Sequence, residues 1–301
     1  MIGGPTATGK TELAVRLAKQ FRGELISADS RQVYQGMDII TGKDHSPGTK
    51  IHLIDVVRPD EDFSVAYYTR LAWQVIKKAW KEGKLPIIVG GTGFYIKAVI
   101  DGIGTVEIPP NEKVRQGMKA WSAKELMDYL ANLNSAKAAA LNKSDRNNPR
   151  RLMRAIEIAL WQKENFHQPA DQKEKQPPFS VLFIGLKADY KTLYQRIDQR
   201  VAKRLKIGAE QEIRNMLKEG YSWENSALGV TTGYREWQPY FENSKLKEEV
   251  IKKWQFAEHG YARRQMTWFK KDKRVSWFDI TGKKWQDEIE ELVENWYDAK
   301  N

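Results

Sequence analysis

Cysteine is absent from the 301 residues, and histidine occurs only 4 times. The first absence excludes disulfides, a thiol nucleophile and any Cys-based zinc or iron–sulfur centre. The second leaves too little imidazole for a His-rich metal site. Long apolar runs are missing too: Leu85–Gly91 is far short of the ~20 residues a membrane span needs. Met1-Ile2-Gly3 runs straight into a glycine motif, so no signal peptide is expected. Acidic residues are the minority, 39 against 50 Lys plus Arg, and the net charge of +11 suits a polyanionic partner. With 41% hydrophobic and 30% charged residues the chain has globular composition, and its length allows one large domain or two medium ones. These features predict a soluble, cytoplasmic protein with no membrane association, and nothing in the pattern demands more than a monomer.

What is present alternates. Lys10–Phe21 places Leu13, Leu17 and Phe21 on one helical stripe, Glu24–Ser27 reads as a short buried strand, Val65–Glu82 as a helix, and Leu85–Val89 as a strand entering Gly90-Gly91-Thr92-Gly93. Strand–helix alternation predicts an α/β fold, a parallel sheet flanked by helices on both faces, with ligands beyond the carboxyl ends of the strands. After Pro109-Pro110 the pattern is helical only: Glu112–Ala120, Ala123–Leu133, Ala136–Leu141 and Pro149–Lys163. Phe166–Pro178 reads as a surface loop. Val181–Leu186 returns as a strand, followed by helical stretches Tyr190–Glu219 and Lys245–Lys271, a last strand Val275–Phe278 and a closing helix Lys284–Asp298. The predicted organisation is a core in two parts, residues 1–105 and 166–301, interrupted by a helical insertion at 106–165.

Gly4-Pro5-Thr6-Ala7-Thr8-Gly9-Lys10-Thr11 fits G-x-x-x-x-G-K-[ST] at every fixed position and leads into a helix. Glycines let consecutive backbone N–H groups face phosphate oxygens; Lys10 adds a point charge, and the Thr11 hydroxyl can ligate Mg²⁺. A chance match in a chain of this length is on the order of one in a hundred. The plain alternative is a glycine turn before an ordinary capped helix. Only Met1 and Ile2 precede Gly3, so the strand from which such a loop hangs is either cut off or short.

Further motifs follow in order: Ser27-Ala28-Asp29-Ser30-Arg31-Gln32-Val33-Tyr34, Gly36-Met37-Asp38-Ile39, His52-Leu53-Ile54-Asp55, Gly90–Tyr95, Arg150–Glu157, Gly233-Tyr234-Arg235-Glu236 and Arg263–Phe269. From Gly4 to about Asp279 the set resembles the tRNA dimethylallyltransferases (tRNA isopentenyltransferases) of bacterial type. Ile51 before His52 and a short connection from Gly42 to His52 depart from the family pattern and weaken any role for His52. The resemblance implies a P-loop NTPase-like core with a helical insertion. It implies transfer of a dimethylallyl group from dimethylallyl pyrophosphate to N6 of the adenosine just 3′ of the anticodon, with pyrophosphate and Mg²⁺ on the loop.

The chemistry sets what such a site must contain. The allylic C–O bond breaks and negative charge builds on the departing pyrophosphate, so fixed donors must face it. The adenine N6 amine is a weak nucleophile that must lose a proton, which calls for a carboxylate. By resemblance Asp29 is that base, Thr6 and Arg200 join it as catalytic residues, and the Thr8 hydroxyl could add a hydrogen bond. Asp29 as a helix cap or a holder of metal-bound water is the plain alternative. For Arg200 the alternative is a solvated helix face, since Lys191, Arg196, Lys203, Arg204 and Lys206 lie nearby. The tRNA (its anticodon stem-loop) should meet Asp29, Ser30, Arg31, Gln32, Thr92, Arg115, Arg150, Arg151, Leu152, Met153, Arg154, Val230, Thr231, Thr232, Gly233, Tyr234, Arg235, Arg263, Arg264, Gln265, Met266, Thr267, Trp268, Phe269 and Lys270. For Trp268 and Phe269 a core position competes with base stacking, and for Thr92 a helix cap competes with substrate contact. Two other functions fit a phosphate loop: a nucleotide or small-metabolite kinase, and an RNA-binding module switched by nucleotide. Neither kinase chemistry nor a kinase substrate explains the basic surplus or the RRQMTWF segment.

Overall fold

The computed structural model describes residues 1–43, 49–106, 108–165 and 179–299. The predicted loop 166–178 therefore lies outside the described residues. The chain divides into two compact units, Met1–Ile100 with Pro177–Asn301, and Asp101–Gln176. In chain order the first unit begins with β1 (Ile2–Gly3), α1 (Lys10–Gln20), β2 (Gly23–Ser27), β3 (Ile51–His52), α2 (Val65–Lys81), β4 (Leu85–Val89) and α3 (Gly93–Ile100). The second unit holds α4 (Glu112–Gly117), α5 (Ala123–Leu133), α6 (Ser135–Ala140), α7 (Lys143–Arg146) and α8 (Pro149–Glu164). The first unit resumes with β5 (Phe183–Lys187), α9 (Tyr190–Lys206), α10 (Ala209–Lys218), α11 (Gln238–Phe241), α12 (Lys247–Phe269), β6 (Val275–Asp279) and α13 (Trp285–Asp298).

All strand pairs in the sheet are parallel, in the order β3-β2-β4-β1-β5-β6. The strands of the middle are short apolar runs buried on both faces, as a parallel sheet covered by helices requires. β1 is two residues long and lies between β4 and β5, with Ile2 opposite Val89 and Ile184. Because β1 reaches no further along β4 than Val89, Pro86 has only β2 beside it, where its missing N–H breaks no ladder on the β1 side. β1 is the point at which the strand order turns, so the loop leaving it opens into the crevice at the carboxyl edge. One layer of core, Leu13, Ala14, Leu17, Leu25, Val89, Ile184 and Ile289 among others, seals α1 and α13 to one face; Tyr68, Ala72, Ile96, Phe183 and Phe269 seal the other.

Two differences from the sequence expectations bear on the sheet and the helices that flank it. The stretch Tyr190–Glu219 is two helices, because Gly208 takes a left-handed conformation (φ 108°) and starts α10 afresh. β3 was not expected; it extends the sheet edge, and His52 there bonds Glu24 through Nε2 at 2.6 Å. Among the described residues no helix is long and apolar enough to cross a membrane.

The second unit is a helical cluster around Leu126, Leu130, Leu152 and Ile156. Its polar centre is Glu157, 2% exposed, which accepts from Asn111 N–H, from Arg115 Nε at 2.6 Å and from Arg154 Nη1 at 3.1 Å. Burial works against its charge, yet these donors hold its pKa below the ordinary value. Arg154 also donates to the carbonyls of Thr105 and Ile108.

Candidate active site

The loop after β1 forms a cradle at the mouth of the sheet. Gly4 has φ 133°, and a Cβ there would stand 2.4 Å from the Leu186 carbonyl oxygen, so only glycine allows β5 to pass this close. Ala7 (φ 64°) and Gly9 (φ 80°) turn the chain into α1, whose N-cap Gly9 offers no side-chain acceptor. The first-turn N–H groups of α1 are thus left for an anion, on the positive end of the helix. Thr8 is buried and donates to the Pro5 carbonyl at 2.9 Å, so its hydroxyl braces the cradle from behind rather than facing the cavity. Lys10 Nζ donates to the same carbonyl at 2.6 Å. Burial, then the neighbouring Arg200, push its pKa down to about 7, with Asp29 acting in the opposite sense.

Asp29 stands beyond the end of β2, next to the cradle. Its Oδ1 accepts the Arg31 N–H at 2.8 Å, a turn that orients the carboxylate at the cavity wall. The segment is tied down on both sides. Ser27 Oγ donates to Gln32 Oε1, Gln32 Nε2 reaches the Gly42 carbonyl, and the Ser30 N–H donates to Thr92 Oγ1 at 3.0 Å. Thr92 therefore serves as a brace between the Asp29 turn and the Gly90–Gly93 turn.

α9 and α12 supply the facing wall. Arg200 Nη1 donates to Thr6 Oγ1 at 2.8 Å, which sets the guanidinium beside the cradle. Gln265, 5% exposed, accepts the Thr6 N–H at 2.8 Å and donates to the Gly91 carbonyl at 3.1 Å. Gly91 makes room for it, since a Cβ would lie 1.9 Å from Gln265 Nε2. Arg204, one turn beyond Arg200, pairs with Glu258 at 3.1 Å deep in the wall. Burial and Arg200 lower its pKa to about 10 while Glu258 opposes them. The last side is the segment Asp38–Ile40, whose three N–H groups all point at the buried Glu212 carboxylate; Tyr234 Oη donates to it at 2.5 Å.

Together these groups enclose a cavity of about 980 Å³. Of the sequence-predicted residues, Thr6, Ala7, Gly9, Lys10, Thr11, Asp29, Ser30, Arg31, Gln32, Arg200, Val230, Thr231, Thr232, Arg235, Arg264 and Gln265 line it. Others are placed elsewhere. Tyr234, Met266 and Phe269 are core, and Trp268 packs on Gly93, so these aromatic rings hold elements together rather than face the cavity. The Gly233 N–H is taken by Glu236. Arg263 and Thr267 are exposed on α12, and Lys270 is exposed just after it. Leu152 is buried in the second unit, with Met153 packed against that core, while Arg150 and Arg151 are exposed. Arg115 and Arg154 are bound to Glu157.

The sequence reading missed several lining residues: Arg196, Lys203, Arg204, Glu258 and Tyr261. The i, i+4 spacing of Arg196, Arg200 and Arg204 was visible, but a solvated face has the same spacing. Burial raises the Tyr261 phenol above its ordinary pKa, against a hydrogen bond with Thr92, so it stays neutral in this wall.

The family model described as IPP transferase matches residues 32–272. A tRNA dimethylallyltransferase of Roseiflexus sp. (strain RS-1) is 38% identical, over 99% of this chain and 98% of that protein. One from Thermoanaerobacter sp. (strain X514) is 38% identical over 97% and 95%. Among solved structures, the tRNA isopentenylpyrophosphate transferase of Bacillus halodurans superposes with a TM-score of 0.72 at 34% identity, covering 98% of this chain and 94% of its own. A eukaryotic dimethylallyltransferase described as acting on tRNA gives 0.76 at 26% identity, over 93% and 73%.

Proposed function

We infer the activity from one premise: the chain belongs to the IPP transferase family. The protein is a tRNA dimethylallyltransferase. It moves the dimethylallyl group of dimethylallyl diphosphate to N6 of the adenosine 3′ to the anticodon and releases diphosphate; this substrate puts its work in the cytoplasm. The observation that carries the reading is that a diphosphate cradle, Arg200 and an oriented carboxylate, Asp29, share one cavity.

The division of labour follows from the charges. The amides of residues 7–11, the Lys10 ammonium and the Arg200 fork face the leaving diphosphate and stabilise its growing charge as the allylic C–O bond breaks. Asp29 accepts the N6 proton as the C–N bond forms. Magnesium suits the donors present. Thr11 lines the cavity beside the cradle, so its hydroxyl would be the protein ligand of an ion whose other ligands are diphosphate oxygens and water. When bound beside Thr11, magnesium supplies further charge neutralisation to the diphosphate. The tRNA contacts are Asp29–Gln32, Val230–Thr232 and Arg235 around the cavity, with Arg150–Arg151 and Arg263–Arg264 as exposed cations for phosphates.

One assay tests this. The protein is incubated with Mg²⁺, labelled dimethylallyl diphosphate and unmodified tRNA, and the RNA is digested to nucleosides. Label in an N6-modified adenosine is the expected result. No label, with ATP consumed on a small acceptor instead, would refute the reading in favour of a kinase.

A further inference from the structure

On their outer side, the two helices that wall the cavity carry a ladder of rings. Tyr190 and Tyr194, one turn apart on α9, stack at 5.8 Å and 26°. His259 of α12 continues the stack over Tyr194 at 4.1 Å and 17°, with its plane fixed by a 2.9 Å contact from Nε2 to Asp198. Phe256, about one turn earlier, meets His259 edge-on at 6.0 Å yet remains 70% exposed. Arg263 donates to Tyr194 Oη at 2.7 Å, with its guanidinium 5.8 Å from that ring. A single exposed Phe is ordinary. Here it ends a preset stack of rings, and Lys191, Arg196, Lys252 and Arg263 are exposed on the same two helices.

We propose that this ladder is a stacking platform for an unpaired nucleobase of the RNA substrate, on the same strand as the target adenosine and outside the cavity. It rests on the tRNA reading above. Flat rings match the π-face that every base carries, and the surrounding cations match its phosphates. Position supports it. Tyr194 precedes Arg200 by six residues, ~9 Å along α9, and both Arg196 and Arg264 line the cavity. A strand that delivers one base into the cavity therefore crosses this rim.

The test uses a fluorescein-labelled, unmodified anticodon stem-loop RNA. Tyr190→Ala with Phe256→Ala should weaken binding about 5- to 20-fold, the loss falling on KM in the transfer assay. Phe256→Ala alone should give part of it, and Phe256→Trp should retain wild-type affinity. Because no charge is removed, the slope of log Kd against log salt should not change, whereas Arg263→Gln should lower that slope by about one. Affinity for inorganic diphosphate, read in parallel, should match the wild type in every variant and so report an intact cavity. A double variant that binds the stem-loop within about twofold of wild type, or Phe256→Trp failing as badly as Phe256→Ala, overturns the platform. If the wild-type enzyme itself neither binds the stem-loop nor prenylates it, the tRNA reading falls and the platform with it. If the wild type does both and the double variant equals it, the platform alone falls.

Discussion

The glycine cradle is made by eight consecutive residues, and its donors are mainly main-chain amides. The wall opposite is assembled from α9 and α12: Arg200 and Gln265 reach Thr6 from 194 and 259 positions away. A backbone cradle survives most side-chain changes, because its amides remain wherever the turn does. The remote wall depends on individual side chains, each held by a partner that can be removed. Binding a diphosphate should therefore be robust and reacting it fragile, and substitutions can test that division.

The largest effect is expected at Asp29. Asp29→Ala removes the proton acceptor without touching the cradle, and single-turnover transfer should fall about 10²- to 10⁴-fold while tRNA binding stays roughly intact. Loss of binding, with normal turnover of whatever binds, would reverse that assignment. Next comes Arg200→Lys, which keeps the charge but loses the planar fork that bonds Thr6. Transfer should drop ~100-fold, with diphosphate affinity falling far less. Equal losses in both would mean that Arg200 holds the diphosphate as firmly before the reaction as during it, against the division drawn above.

The same contrast explains what the sequence could disclose. Gly4–Thr11, the parallel sheet and the helical insertion were legible because local pattern encodes them. The lining role of Arg204 was not, since a basic helix reads alike whether its cations face water or a cavity, and only the Glu258 pairing separates the two. Nor was Glu212, which anchors Asp38–Ile40 across 172 to 174 positions and has no motif of its own. Tyr234 and Phe269 lie in motifs that suggest RNA contact, yet both are fully buried, Tyr234 with its hydroxyl on Glu212. Being in a motif does not show whether a residue meets the ligand or supports the residues that do.

A smaller effect concerns pH and sharpens the cradle side. In the ligand-free protein Lys10 has a pKa of about 7, pushed down by burial and by Arg200. At pH 8 most of it is neutral, and a bound diphosphate favours the charged form, so binding takes up a proton. The log Kd for inorganic diphosphate, corrected for diphosphate's own ionisation, should rise above pH 7 with a slope approaching one, up to about tenfold per pH unit. Lys10→Met should abolish the slope. Calorimetry in two buffers of different ionisation heat should count nearly one proton at pH 8 and few at pH 6. The unfolded chain, with an ordinary lysine, holds a proton between about pH 7 and 10.5 that the folded one lacks. Ligand-free stability should therefore increase as pH rises through that window. No proton uptake at pH 8 would mean that the buried ammonium is already charged before the anion arrives.

The smallest net change is expected from removing the charge of both partners in the wall's buried pair. Glu258 accepts from Arg204 and, at 3.3 Å, from Trp254 Nε1, while Arg204 Nε is buried with no partner among the described residues. An ion pair this enclosed and this incompletely satisfied gains little over neutral groups of similar size. Glu258→Ala alone should destabilise the fold by roughly 3 kcal/mol, because it strands a buried guanidinium. Arg204→Met combined with Glu258→Gln, which keeps an acceptor for Trp254, should stay within about 1 kcal/mol of wild type in urea unfolding. Diphosphate affinity tells scaffold from chemistry. If the double variant binds inorganic diphosphate within about threefold of wild type, the pair only joins α9 to α12 behind Arg200. A loss of tenfold or more would show that Arg204 meets the anion itself, and the wall would then share in binding as well as in reaction.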